Sequence, residues 1–232
     1  FQTYLNWKKT FAEDHNIDVV AGYDYMKDKN NSIDARVQGA ASDKIPTLNV
    51  GTSNITNYPT STRTDEVLIS YFGRVNYNFR EKYLLSFTMR ADGSSKFAAG
   101  NRWGYFPAAS AGWIVDEEAF WPQNKVVSSL KLRASYGLTG NNGIGLYDTY
   151  GSYNSAYQYN GMSTTTTGEM PNSNLTWEST TQVNAGLDMG LADDRVRVSF
   201  DYYDKVTRNL LFDVTLPNTT GYGSVVSNVG KV

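Results

Sequence analysis

Cysteine is absent from the sequence, histidine occurs once, and no apolar run approaches the length of a membrane-spanning helix. Without cysteine there is no disulfide framework and no thiolate metal site. Without a run of about 20 apolar residues, a helical membrane protein is excluded. Lysines and arginines are dispersed singly and the formal net charge is −2, so no basic stripe exists to neutralise a phosphate backbone, and nucleic acid is excluded as a partner. His15 lies in a short polar turn with no carboxylate pair or nucleophile at useful spacing, and it reads as a solvated side chain. Glu117 and Glu118 are adjacent, so they cannot flank a scissile bond from opposite sides as paired glycosidase carboxylates do. No catalytic constellation emerges, and the chain reads as a non-enzyme with no cofactor and no metal.

What the sequence does have is alternation. From Tyr71 to Phe79 the odd positions are Tyr71, Gly73, Val75, Tyr77 and Phe79, and the even ones Phe72, Arg74, Asn76 and Asn78. This period of two belongs to a strand, not a helix. After a turn at Arg80, Glu81 and Lys82, the residues Tyr83, Leu85, Phe87, Met89 and Ala91 continue the apolar row, and Phe79 is expected opposite Tyr83. Similar alternation marks strands near 1–11, 17–25, 109–115, 130–139, 177–191, 196–203 and 225–232, about nine in all. The connections alternate too: short at 13–16, 80–82 and 192–195, compact at 116–128, and long at 27–65 and 140–175, where Asn30, Pro46, Asn54, Asn57 and Pro59 mark loop chemistry.

Short turns at one end and elaborate loops at the other describe an all-β, antiparallel, up-and-down transmembrane barrel sector. Most runs reach the roughly 9 to 11 residues that a tilted strand needs to cross the hydrocarbon layer. Tyr71, Phe79, Tyr83, Trp103, Tyr105, Trp121 and Trp177 cluster near strand ends, as interfacial girdles do. Arg74, Arg90, Arg133, Asp188 and Asp201 share the polar face, as expected of residues facing a wet lumen. On this reading Leu132→Arg costs about 2 to 4 kcal/mol near the bilayer midplane, whereas Arg133→Leu is mild. The rival is a soluble β-rich carbohydrate-binding or adhesion module, because a sandwich also alternates apolar with polar.

Two groups of loop residues invite a ligand. Tyr147, Tyr150, Tyr153, Tyr157 and Tyr159 recur in the second long loop, and aromatic rings with hydroxyls suit a glycan. Trp103, at the close of a Gly-rich loop from Asp92 to Gly104, joins them as a candidate ligand contact. Asp92-Gly93-Ser94-Ser95 and Thr139-Gly140-Asn141-Asn142 hold groups able to meet a calcium ion, but such residues more often form turns. Asn54-Ile55-Thr56 and Asn218-Thr219-Thr220 match the glycosylation pattern, which polar loops reach easily by chance.

The run YFGRVNYNFREKYLLSFTMRADGSSKF from Tyr71, followed by NRWGYFPAASAGW from Asn101, resembles the SusC/RagA-like branch of TonB-dependent outer-membrane transporters. LKLRASYGLTGNN from Leu130, NLTWESTTQVNAGLD from Asn174 and DYYDKVTRNLL from Asp201 carry the same resemblance in order. It implies that residues 1–232 are part of a barrel domain of roughly 22 strands, without its plug or a signal peptide. It further implies an outer-membrane location, energised import of a glycan or peptide, and contact with outer-membrane lipid. The implied partners are a SusD-like surface lipoprotein acting as a lid and TonB, engaged through the plug region that this stretch lacks.

Overall fold

The computed structural model describes residues 1–39, 42, 44, 47, 48, 59–122 and 126–232. Pro46, Asn54, Asn57 and the Asn54-Ile55-Thr56 sequence lie outside the described residues. The strands are β1 (Gln2–Phe11), β2 (His15–Asp34), β3 (Thr60–Phe79), β4 (Tyr83–Ser94), β5 (Trp103–Ile114) and β6 (Val127–Asn141), followed by β7 (Tyr153–Tyr159), β8 (Met162–Thr167), β9 (Glu178–Leu191), β10 (Val196–Arg208), β11 (Leu211–Thr215) and β12 (Ser224–Asn228). Eight of them form one sheet in the order β1-β2-β3-β4-β5-β6-β9-β10, while β7 pairs with β8 and β11 with β12 in separate ribbons. The sheet is therefore an up-and-down meander with one inserted hairpin. The ninth expected strand, near Val225, is β12, which pairs with β11 instead of joining the sheet.

Chain contacts divide the molecule into two units, Phe1–Met26 with Leu68–Val232, and Lys27–Val67. In the second unit, β2 runs to Asp34 and β3 begins at Thr60, where a loop over 27–65 is expected from the sequence. Residues 26–34 of β2 are exposed on both faces, so no apolar row marks them, and pairing such as the 2.5 Å hydrogen bond between the Ser32 and Thr62 hydroxyls holds the ribbon instead. The Gly-rich loop is likewise shorter than expected, because β4 continues to Ser94 and β5 opens at Trp103.

Register explains the faces of the first unit. Phe79 pairs with Tyr83 and Val75 with Phe87; Phe87 pairs with Ala109, Ala109 with Tyr136, and Tyr136 with Val183. With Leu187 paired to Phe200 on β10, and because side chains alternate across a strand, this locks the apolar residues of six strands onto one face. That face is bare: Phe87 is 53% exposed and Phe200 65%. A water-soluble sandwich would bury it under a second sheet, and no strand among the described residues does so.

Two aromatic rows bound the apolar face. At the short-turn end His15 lies 4.6 Å from Phe79, Phe79 stacks on Tyr83 at 6.0 Å, and Tyr83 stacks on Trp113 at 6.4 Å. At the long-loop end Tyr23 meets Tyr71 at 5.2 Å, and Tyr71 meets Trp103 at 6.0 Å. On β5, Trp103 and Trp113 are ten residues apart, about 34 Å along the strand at about 3.4 Å per residue. At a tilt of about 40° that is about 26 Å across the bilayer, the height of a barrel's apolar band. His15 belongs to this girdle: its Nδ1 shares a 2.7 Å hydrogen bond with the Tyr77 hydroxyl, so it is not the solvated turn residue expected from sequence.

The short turns are tied to one another. Arg80 donates to Asp14 at 2.9 Å, the Lys82 ammonium donates to the Glu117 carbonyl, and Asp194 accepts from the hydroxyls of Ser128 at 2.9 Å and Ser129 at 3.0 Å. Successive residues with positive φ close the two three-residue turns, Ala12 and Glu13 (47° and 63°) in one and Arg80 and Glu81 (55° and 58°) in the other, a backbone twist that suits adjacent strands.

Two outcomes follow from this layout. Phe87→Arg places a charge mid-strand on the apolar face and should cost about 2 to 4 kcal/mol, whereas Ser86→Arg, beside it on the polar face, should cost about 1 kcal/mol, for the lost 2.7 Å hydrogen bond to Asn76; reversible unfolding in lipid vesicles measures both. The two serine hydroxyls, Ser128 first, hold the Asp194 carboxyl below its usual range. A carboxyl with a lowered folded pKa adds stability above its unfolded value, and that stability is lost as pH falls through the folded one. Replacing Ser128 and Ser129 with alanine should therefore raise the pH at which the Ala192 amide, bonded to the Val126 carbonyl at 3.2 Å, loses protection from hydrogen exchange.

Candidate functional site

The buried core of the first unit lies among the long loops, not under the sheet. Phe97 and Leu175 are both 0% exposed and pack with Ile144, against Trp177, Leu211 and Val226. Polar side chains bind the same segments together. Asn172 donates to the Val226 carbonyl at 2.8 Å, and Asn228 donates to the carbonyls of Thr176 and Asn209, each at 2.9 Å. Thr149 donates to the Lys96 carbonyl at 2.8 Å, and the Trp177 indole donates to the Arg102 carbonyl at 3.0 Å. Three loops separated by long stretches of chain thus share one anchored platform, which satisfies backbone groups that an irregular loop leaves over.

The glycine-and-asparagine motifs are parts of this platform. Asp92 pairs with Arg90 at 2.8 Å, Arg90 also donates to the buried Ser70 hydroxyl at 2.8 Å, and Asn142 donates to Ser94 at 3.2 Å. Asn141 donates to Glu178 at 3.3 Å, whose other oxygen accepts from the Leu211 amide at 3.1 Å. Gly140 sits under the Phe106 ring, whose nearest atom would lie 2.0 Å from an added Cβ. Nothing larger than hydrogen fits there.

The platform divides the five candidate tyrosines. Tyr147 and Tyr150 lie on the segment before β7, where the amides of Tyr150 and Gly151 both donate to the Tyr147 carbonyl at 2.8 Å, and the Tyr150 hydroxyl accepts from Arg102 at 3.4 Å. Tyr153 and Tyr159 stand at the two ends of β7, 78% and 75% exposed. Tyr157 pairs by backbone with Thr164; its side chain lies outside the described residues. Trp103 is elsewhere: its place in β5 puts it on the apolar face, stacked on Tyr71. A strand-end tryptophan serves a girdle as readily as a ligand, and only the register distinguishes them.

The polar face carries Arg74, Arg90, Arg133, Asp188 and Asp201 together, by the same register that sorts the apolar rows. Arg133 donates to Asp188 at 2.6 and 3.0 Å and reaches Asp201 at 3.0 Å, while Ser199 donates to Asp188 at 2.9 Å. The neighbour between Arg133 and Asp201 is Gly186, paired with both. An added Cβ there would fall 2.6 Å from Asp201 Oδ1 and 2.9 Å from Arg133 Cζ, so the missing side chain is what lets the guanidinium cross the strand. Sequence reasoning gave Gly186 no role; its signal is a glycine between Asn184 and Asp188 on the polar row, and only the register brings Arg133 beside it. Arg133→Leu is accordingly no mild change, because it leaves two carboxylates facing each other. Arg74 instead donates to Thr88 at 3.2 Å. Along this face Lys8, Asp18, Asn78, Ser110, Lys131 and Arg133 line an open trough of about 680 Å³.

The family model for TonB dependent receptor-like β-barrels matches residues 1–232. TonB-dependent receptor P3 of Formosa agariphila is 36% identical over 237 residues, covering 100% of this chain and 23% of that protein. TonB-dependent receptor SusC of Bacteroides thetaiotaomicron is 40% identical over 181 residues, covering 75% of this chain and 18% of that protein. A solved structure of the RagAB peptide transporter superposes with a TM-score of 0.88 at 29% identity, over 99% of this chain and 26% of that one. The siderophore receptor PirA of Pseudomonas aeruginosa, at 14% identity and a TM-score of 0.59, shares the fold. The chain spans about a quarter of the length of the curated relatives it matches.

Gly186→Ala should displace Arg133 from Asp201. In a double-mutant cycle, Asp201→Asn should then destabilise the Gly186→Ala protein less than it does the unaltered one. Strict additivity would mean that the bridge does not depend on the glycine.

Proposed function

The chain belongs to the TonB-dependent receptor β-barrel family and lies in the outer membrane of a Gram-negative cell, and from that premise we propose that it supplies wall and outer loops to an energised importer of glycans or peptides. The observation that carries this is the anchored loop platform: it fixes the base of a loop in which Tyr147, Tyr150, Tyr153 and Tyr159 are left exposed, as a capture site on a rigid scaffold requires. Tyr147, Tyr150, Tyr153, Tyr157 and Tyr159 are the proposed ligand contacts. Their rings offer faces to stack on a sugar or a peptide side chain, and their hydroxyls offer hydrogen bonds. A channel wall is a transport device and not an enzyme, and nothing in the arrangement breaks a bond.

In this proposal the polar face with Arg74, Arg90, Arg133, Asp188 and Asp201 lines the lumen, where a plug engaged by TonB occupies the barrel. The open trough beside Arg133 supports this, since its lining of lysine, arginine, aspartate, asparagine and serine side chains suits a polar plug surface and not lipid. A SusD-like surface lipoprotein is the proposed lid over the loops. Both substrate classes have support: a solved relative is described as a peptide transporter, and the exposed tyrosines favour a glycan.

The test is uptake of labelled oligosaccharides and oligopeptides by cells carrying the whole receptor. Replacing Tyr153 and Tyr159 together with alanine should reduce uptake of the true substrate class about tenfold, from about 0.5 to 1.5 kcal/mol per lost aromatic contact. Barrel assembly should be unchanged. Undiminished uptake of both classes would remove the tyrosines from the capture site.

A further inference from the structure

At the short-turn end of the apolar face three rings stand in a row. Tyr83 and Trp113 stack with centroids 6.4 Å apart and planes at 11°, and Phe120 meets Trp113 at 6.4 Å and 64°, edge to face. Phe120 belongs to no strand and is 67% exposed, so the connector between β5 and β6 extends the girdle instead of turning away from it. Beside the rings lies a carboxylate: Glu118 Oε1 accepts from the Tyr83 hydroxyl at 2.5 Å and from the Trp113 indole at 3.1 Å. These two donors, Tyr83 first, keep its carboxyl below the usual range, so it stays charged. Lys82 lies close by, its ammonium donating to the neighbouring Glu117 carbonyl.

Half-buried and held from the protein side by two donors and the charge of Lys82, Glu118 is a fixed carboxylate beside the exposed Phe120 ring. The negative faces of aromatic rings together with a carboxylate suit an ammonium, and Lys82 adjacent to them suits a phosphate. The two charges are side by side, as they are in a zwitterionic phospholipid headgroup. Short turns of an outer-membrane barrel lie on the periplasmic side, where the leaflet is phospholipid. We propose that Tyr83, Trp113, Glu118 and Phe120, with Lys82, form a headgroup site for an ethanolamine phospholipid, its ammonium against Glu118 and the rings and its phosphate against Lys82. The site sits on the sheet's lipid-facing side and is independent of the solute carried.

The whole receptor in detergent, offered equal amounts of phosphatidylethanolamine and phosphatidylglycerol with matched acyl chains, provides the test by native mass spectrometry. Wild type should retain the ethanolamine lipid with about fivefold preference, the scale of a cation–π contact joined to a charge. Glu118→Gln keeps the shape and the acceptor but loses the charge, and should abolish the preference. Should that variant fail to fold, Phe120→Leu, at an exposed position, carries the test and should weaken the preference. Equal retention of both lipids by wild type, or a preference that survives these substitutions, would overturn the proposal.

Discussion

Everything in the first unit depends on one constraint, the fixed register of the antiparallel ladder. From β3 through β6 and on to β9 and β10 the neighbouring strands of the sheet pair in series, and a slip of one residue would exchange Phe87, Tyr136 and Phe200 for Ser86, Ser135 and Asp201 on the apolar face. In water such a slip would merely be unfavourable. In hydrocarbon it would place charge and unsatisfied hydroxyls where nothing can solvate them. The same ladder pairs the backbone of the strands between the edges β1 and β10, so a bare apolar face and inter-strand backbone hydrogen bonds are one solution to one solvent.

Stability is distributed accordingly. Side chains on the apolar face pack against neighbours in their own sheet and against lipid, so the only fully buried apolar cluster among the described residues forms where the chain leaves the membrane. Phe97, Ile144 and Leu175 come from three loops, and the asparagines at 172 and 228 close the carbonyls around them. Long loops this well anchored present a surface of defined shape, which is what a capture site needs and what a flexible loop does not give. At the opposite end the turns are tied by Asp14, Arg80, Lys82 and Asp194, exposed pairs whose individual contribution is small but whose lateral order keeps the strand ends together.

The sheet was legible wherever one face is apolar and the other wet. Leu130 to Thr139 alternates without a fault, Tyr71 to Ala91 does so but for Phe72 and Leu84 on the polar face, and the pairing of Phe79 with Tyr83 follows from a three-residue turn. Legibility failed where that contrast disappears: the ribbon through Ser32 and Thr62 is wet on both sides, and β8 is a run of threonines with no apolar row. His15 was misjudged, and Trp103 was left with both a girdle and a ligand reading, for a related reason. Each sits at a strand end, where residue type alone does not say which way the side chain points, and only the partners Tyr77 and Tyr71 reveal it. The charged residues on the polar face could be assigned to a face by parity, but the bridge among Arg133, Asp188 and Asp201 depends on Gly186, a residue whose role is the space it leaves.

The decisive measurement is a spin-label scan of β4. These 232 residues hold no cysteine; in a membrane-embedded receptor with any cysteine outside them replaced by serine, residues 84–91 can be changed one at a time to a labelled cysteine, and collision with oxygen and with a water-soluble nickel chelate recorded at each. Oxygen accessibility should peak at 85, 87, 89 and 91, with nickel accessibility low there, a period of two set by the pleat. A flat profile, or oxygen maxima at 84, 86, 88 and 90, would mean that the apolar face does not meet lipid.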